Sequence, residues 1–486
     1  MDKNISSLIT IFGGTGDLSY RKLYPAIFNL YKRGHFNKLI IIATGLEDLT
    51  NEKFRDNVKK IISSEKDDGN INEFLSYLYY QKQNVQDEKD WLALKKLCDK
   101  LDENYNLQGN RLFYLAMDPR FFEVVTQNIK ECGLSESTGF TRIIIEKPFG
   151  HDLESAKKLN SHINKYFTEN EIFRIDHYLG KEMVQNIEAI RFGNTIFEPI
   201  WNRKFISNIQ ITLSETLGVE KRSAYYDKTG ALKDMVQNHL LQILTLIAME
   251  KPDSRKSIDI RNKKIELLKS LKPLNEEEVD KNFIRGQYEA GQSKNQIFKA
   301  YSDENGVTPN STTETFVAGK VLVENKRWNG VPFYIRTGKR MNSKETKIVI
   351  EFKNKDNMLN YPHDNNSISN NIMVISIEPC ESISLYIYQN KSYRNGKPHT
   401  IPLKGTNDHK KTVGPYENLI CDALVGDHTN FIHWEELKYS WIFIDMIKKG
   451  WLKSQSEIYK YPSGSFGPEE SNEFLQSNHS FWWNDL

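Results

Sequence analysis

The stretch that most limits what this chain can fold into lies at its start. An apolar run over residues 7–12 enters the glycine turn Gly13-Gly14-Thr15-Gly16, and a helical pattern continues through Leu23, Ile27, Leu30 and Tyr31. A strand that passes through glycines straight into a helix is the opening of a dinucleotide-binding unit. The glycines let the backbone approach a pyrophosphate, and the helix start offers free N–H groups and a favourable dipole. Gly13, Gly14, Thr15, Gly16, Asp17 and Leu18 are therefore the candidate cradle. The spacing is not G-x-G-x-x-G, so taken alone the turn is also compatible with a plain tight connection.

Strand and helix continue to alternate downstream. Residues 38–43, 80–85, 111–117 and 141–146 read as strands, and 91–100 and 121–132 carry helical spacing. Over roughly the first 170 residues this predicts a mostly parallel, doubly wound sheet. In such a sheet the loop after the second strand meets the adenosine ribose. Here it offers Leu46, Glu47 and Asp48, with no Arg or Lys before Lys53. A carboxylate there accepts from ribose hydroxyls, whereas an arginine would favour a 2′-phosphate, so the loop favours NAD over NADP; capping of a helix near Thr50 is the other use open to Glu47. Lys147, in Glu146-Lys147-Pro148-Phe149-Gly150, ends a strand on the carboxyl edge where these sheets bind ligands.

Bulk properties mainly exclude. A chain of 486 residues is too long for one core and predicts two or three domains. With 66 basic and 64 acidic residues the net charge is +2, which gives no argument for nucleic acid or a membrane surface. The four cysteines show no metal-ligand spacing, arguing against zinc and against a disulfide framework and fitting a reducing cytoplasm. The apolar run over 240–249 is about half of what a bilayer span needs.

The densest chemistry lies in Phe173-Arg174-Ile175-Asp176-His177-Tyr178-Leu179-Gly180-Lys181-Glu182. A helix begun at Asp176 would put His177 and Lys181 on one face, with Tyr178 between them in sequence. Two cationic donors and a hydroxyl suit a phosphate monoester. Beyond lie a strand over 206–217 carrying Glu215 and a long helix over 230–250 carrying Asp234, Asn238 and His239. Strands over 316–323, 331–336, 346–352, 372–377 and 382–388 predict an antiparallel sheet, and 419–451 reads as helical. Lys339 and Lys344 come just after the second of those strands.

With these pieces placed, the chain resembles glucose-6-phosphate dehydrogenase of the shorter bacterial type along essentially its whole length. The resemblance rests on GGTGDLSYRKLYPA (13–26), EKPFG (146–150), FRIDHYLGKEMVQN (173–186), GALKDMVQNHLLQ (230–242), VPFYIRTGKR (331–340), PYENLI (415–420) and SGSFGPEES (463–471). It implies a Rossmann domain (1–177) and an α+β domain (178–486) whose mostly antiparallel sheet binds substrate and forms a homodimer. It implies oxidation of glucose 6-phosphate at C1 to 6-phosphogluconolactone, the first oxidative step of the pentose phosphate pathway, with NAD or NADP and no metal.

Residue by residue, His239 matches the general base and Asp176 its orienting acid. His177, Tyr178 and Lys181 match the phosphate pocket, joined by Lys344. Lys339, Glu215 and Asp234 match sugar contacts, and Lys147, before a cis proline, touches substrate and cofactor. One position departs: where NADP-using members carry an arginine after the second strand, this chain has Leu46 and then Glu47. Two other classes are weighed against this. A sugar-nucleotide epimerase would need a Tyr-x-x-x-Lys pair, whereas Tyr178 and Lys181 are three apart; a non-catalytic sugar-phosphate sensor would have no use for His239.

Overall fold

The computed structural model describes residues 5–63, 70–293, 296–353, 370–389, 399–406, 413–454 and 456–484. Two compact units emerge, each assembled from separate stretches of chain. The first comprises Met1–Glu182, Asp253–Arg261 and Val413–Lys438; the second comprises Met183–Pro252, Asn262–Thr412 and Tyr439–Leu486.

The first unit holds a six-stranded parallel sheet in the order β3-β2-β1-β4-β5-β6. Its strands are β1 (Ser6–Phe12), β2 (Lys38–Gly45), β3 (Leu78–Lys82), β4 (Arg111–Leu115), β5 (Thr141–Ile145) and β6 (Ile172–Arg174). Helices cover both faces, so β1 is buried at every position and its sequence is apolar without alternation. β3 starts and ends earlier than the expected 80–85, because Asn84 N–H binds the Asp90 carboxylate at 2.7 Å and Asp87 caps the helix Glu88–Tyr105. The three-residue β6 is too short for a periodicity to reveal.

The helix Pro415–Val425, distant in sequence, completes this core. Leu419, Ile420 and Leu424 are fully buried with Tyr24, Ile27 and Phe28 of the helix Tyr24–Lys32. Burial of side chains of this size stabilises by about 1.5–3 kcal/mol each.

The second unit carries a nine-stranded sheet. Its strands are β7 (Ile206–Ser214), β8 (Phe283–Glu289), β11 (Phe316–Val321), β12 (Phe333–Gly338), β13 (Glu345–Phe352), β14 (Ile372–Glu378), β15 (Ser382–Gln389), β16 (His399–Thr406) and β17 (Tyr459–Pro462); β9 (Gly291–Ser293) and β10 (Gln296–Phe298) form a separate hairpin. The order is β16-β15-β14-β13-β7-β12-β11-β8-β17, antiparallel except for the pairs β7–β12 and β8–β17. On β7 and β12 packs the predicted long helix, which starts as a π-helix over Leu232–Leu240 and tightens to an α-helix over Leu241–Ala248. The expected helical tail is two helices, Pro415–Val425 and Trp434–Ser454, the first ended by Gly426 in the left-handed region (φ 80°).

Residues 176–181 are not helical. The Asp176 carboxylate accepts from Tyr178 N–H at 3.0 Å, and the chain closes tight turns with Leu179 N–H on the Asp176 carbonyl and Lys181 N–H on the Tyr178 carbonyl. A short acceptor side chain competes with helix geometry in this way, and the helix begins only at Glu182.

Candidate active site

At the end of β1 the chain turns inside a space no side chain could share. Gly13 has φ 84°, and a Cβ there would strike the Ala116 carbonyl oxygen; a Cβ on Gly14 would lie 2.6 Å from Ala43 Cβ. The turn is held by Gly14 N–H on the Thr44 carbonyl (2.8 Å) and by Ser19 Oγ and Tyr24 Oη on the Gly13 and Gly14 carbonyls (3.0 and 2.6 Å). Ser19–Leu23 is a π-helical turn before the α-helix Tyr24–Lys32, a widening frequent at ligand sites. Asp17 faces solvent, paired with Arg21 at 3.1 Å, and Leu18 is half-buried. A glycine turn this close-packed at a strand–helix junction fits a dinucleotide pyrophosphate.

The loop after β2 lies beside this turn: a Cβ on Gly45 would come 2.7 Å from Thr15 Oγ1. Leu46 is 72% exposed, a large apolar side chain offered to whatever binds there. Glu47 does not cap the next helix, because Thr50 does, accepting from Lys53 N–H at 3.3 Å. Instead the Glu47 carbonyl accepts from Tyr80 Oη at 2.6 Å.

On the carboxyl edge of β5, Lys147 precedes a cis proline as the resemblance implies. Its neighbour Glu146 accepts from Tyr114 Oη at 2.6 Å, and burial pushes its carboxyl up to about 7, with Asp176 adding repulsion. The turn after β6 brings three predicted residues together. The ring centroids of His177 and Tyr178 are 5.0 Å apart, and Lys181 Nζ stands 3.7 Å above the Tyr178 ring. The helix Pro415–Val425 supports that turn: Asn418 Nδ2 donates to the Gly180 carbonyl at 3.0 Å, and the Tyr416 and His177 rings lie parallel, 6.4 Å apart. Burial lifts the Tyr416 hydroxyl far above its ordinary range, with Glu146 and Asp176 adding to it.

In the second unit, Lys339 Nζ pairs with the Glu215 carboxylate and stands 5.3 Å from the Tyr226 ring. Backbone bonds fix both: Glu215 N–H to the Gly338 carbonyl (3.0 Å) and Lys339 N–H to the Thr315 carbonyl (2.9 Å). Lys344 is more exposed and faces Glu378 at 3.6 Å. Asp234 and His239 are buried on the helix 232–248.

That helix is held at both ends. Glu314 meets its start, with its carbonyl on Ala231 N–H (2.9 Å) and its carboxylate on Leu232 N–H (3.0 Å). At its far end the carbonyls of 246–249, which no helix can satisfy internally, accept from Arg191, Trp201 and Trp328: Arg191 on Leu246 (2.7 Å) and Met249 (2.8 Å), Trp201 on Ile247 (2.9 Å) and Trp328 on Ala248 (2.6 Å).

Sequence reasoning missed several of these. Burial raises the Tyr226 hydroxyl well above its ordinary value, with Asp234, Glu314 and Glu215 adding to it. Nothing in its local sequence marks it. Glu146 had a signal, an acid closing an apolar strand, that was read only for its neighbour Lys147. Asp176 lies in the first unit and His239 in the second.

Comparisons with known proteins agree along the chain. The family model described as glucose-6-phosphate dehydrogenase, NAD binding domain, matches residues 10–186, and that described as glucose-6-phosphate dehydrogenase, C-terminal domain, matches 188–483. A glucose-6-phosphate 1-dehydrogenase of Bacillus subtilis (strain 168) is 48% identical over 484 residues, 98% of each chain. One from Leuconostoc mesenteroides is 41% identical over 99% of each. Among solved structures, a glucose-6-phosphate dehydrogenase in complex with glucose-6-phosphate superposes with a TM-score of 0.90 at 36% identity, covering 99% of each chain. A glucose-6-phosphate 1-dehydrogenase from Mycobacterium avium gives 0.82 at 31% identity, covering 99% of this chain and 100% of that one.

Proposed function

The chain belongs to the glucose-6-phosphate dehydrogenase family and oxidises glucose 6-phosphate with a nicotinamide cofactor, and we propose that His239 and Asp176 carry the proton transfer of that reaction. The observation behind the assignment is the match of both family models across the chain, together with the cationic turn at 177–181. His239 takes the proton of the C1 hydroxyl, a task suited to imidazole because its ordinary pKa lies near neutrality. Asp176 orients the ring and stabilises the imidazolium. The bound nicotinamide supplies C4 as acceptor of the C1 hydride. Loss of proton and hydride leaves the C1 carbonyl of 6-phosphogluconolactone, the first oxidative step of the pentose phosphate pathway.

His177, Tyr178, Lys181 and Lys344 hold the 6-phosphate; Glu215, Asp234 and Lys339 hold the sugar hydroxyls, and Lys147 positions sugar and cofactor. Residues 1–177 carry the cofactor cradle and 178–486 most of the substrate contacts, the latter pairing two copies into a homodimer in the cytoplasm. No helix among the described residues is long and apolar enough to cross a membrane.

NAD is the preferred cofactor, read from Leu46 and Glu47 in place of a cation. A charge-assisted hydrogen bond to the 2′-phosphate is worth about 1.5–3 kcal/mol, roughly a ten- to hundredfold effect. Initial rates with NAD and NADP titrated separately test this. A higher kcat/KM with NAD, with Leu46→Arg recovering NADP use, supports the reading; a higher value with NADP overturns it. His239→Asn should lower kcat by about 10²–10⁴ with little change in KM, and unchanged turnover would remove His239 as the base.

A further inference from the structure

The glycine turn and the ribose loop are joined by three aromatic rings that no part of the proposed reaction uses. Tyr24, Phe54 and Tyr80 come from three different elements and are almost wholly buried. Phe54 packs edge-on against Tyr24 (centroids 5.7 Å apart, 74°) and tilted against Tyr80 (5.4 Å, 32°). At one end the Tyr24 hydroxyl holds the Gly14 carbonyl; at the other the Tyr80 hydroxyl holds the Glu47 carbonyl, each at 2.6 Å. Tyr80 is itself fixed by its backbone N–H on Asn51 Oδ1 at 2.7 Å, and Gln83 N–H takes the Gly45 carbonyl at 2.8 Å.

We propose that these rings form a brace that sets the spacing between the pyrophosphate turn and the ribose loop, and that Tyr80 is a positioning residue for the choice between NAD and NADP. This rests on the preference for NAD read from Leu46 and Glu47. Discrimination is a difference between two affinities, and it depends on where the Glu47 carboxylate stands relative to a pyrophosphate anchored at Gly13 and Gly14. A side chain on an untethered loop could swing away from a 2′-phosphate and lose most of its repulsion. The Tyr80 hydroxyl removes that freedom at the peptide that carries Glu47. Tyr24, at the other end, holds the part of the cradle that both cofactors share.

The two hydroxyls therefore have different signatures. In Tyr80→Phe, which keeps the ring and its packing, the ratio of kcat/KM for NAD to that for NADP should fall about three- to tenfold, the worth of one neutral hydrogen bond, while KM for glucose 6-phosphate stays unchanged. Tyr24→Phe should raise KM for both cofactors by a similar factor and leave the ratio alone. Phe54→Leu, which breaks the ring contacts, should move the ratio as Tyr80→Phe does.

Glu47→Gln separates the brace from the reading beneath it. If Glu47→Gln lowers the ratio and neither Tyr80→Phe nor Phe54→Leu does, the brace is wrong and the loop reading stands. If Glu47→Gln leaves the ratio unchanged, or the wild type prefers NADP, the loop reading fails and takes the brace with it. Should Tyr80→Phe raise the sugar KM as much as the NAD KM, alongside a drop in thermal midpoint, its role is general packing and the proposal falls.

Discussion

Replacing Gly180 by alanine adds a single methyl group within the turn at 177–181. A Cβ there would strike the Pro415 carbonyl oxygen and lie 2.9 and 3.0 Å from Leu419 Cδ1 and Cγ. Leu419 is fully buried in the first unit's core and cannot swing aside, and the carbonyl belongs to the first turn of a helix. The turn must yield instead, by up to about 1 Å to reach ordinary contact, and overpacking of this kind costs about 1–3 kcal/mol. The movement also strains the Asn418–Gly180 bond and shifts His177, Tyr178 and Lys181 together. A displacement of that size in a positioned group can cost about 10²-fold in rate. Steady-state kinetics with glucose 6-phosphate reads the outcome: kcat/KM should fall by about ten- to hundredfold, with KM raised. A thermal midpoint and a KM both equal to wild type would refute the claim that this contact sets the turn.

Two further changes probe the same unit. Lys181→Ala should raise KM for glucose 6-phosphate by about ten- to hundredfold through loss of a charge-assisted bond, with KM for the nicotinamide cofactor unchanged. Glu146 has a carboxyl pKa raised from 4.5 to about 7, so its contribution to stability is complete below pH 4.5 and is lost as pH rises through 7. Glu146→Gln keeps an acceptor for Tyr114 without the titration, so its stability relative to wild type should grow with pH, by on the order of 3 kcal/mol at most. That figure is an upper bound because Glu146 is only half-buried by area and water screens it. Hydrogen exchange of the β4 and β5 amides in both proteins, compared at matched acidic and alkaline pH, measures it; a difference independent of pH would refute the coupling.

Much of this was legible in the chain because parallel strands buried on both faces leave apolar runs without alternation, as at 39–43 and 143–145. The glycine turn was legible because its geometry excludes a Cβ. Local competition was harder to read. Asp176 begins a stretch with helical spacing, yet its carboxylate captures Tyr178 N–H and makes a turn. The π-helical opening of the helix bearing His239 leaves no mark in a pattern read at ordinary helical spacing. Least legible were contacts distant in sequence: PYENLI was recognised as a motif, but nothing in its six residues says that it underlies the turn at 177–181. Tyr226 was missed for the same reason, since what sets it apart is its burial beside Asp234, Glu314 and Glu215 and not its neighbours along the chain.

The late helix in the first unit's core also has a consequence for synthesis. Leu419, Ile420, Leu424 and Phe431 close an apolar cluster whose other members outside that late segment all precede residue 176. A ribosome adding about 5–20 residues per second leaves roughly 10–50 s between release of β6 and arrival of Phe431. Through that interval the nascent sheet exposes the surface those side chains will cover, a window in which it is open to aggregation. Expression of residues 1–182 alone would make the window permanent.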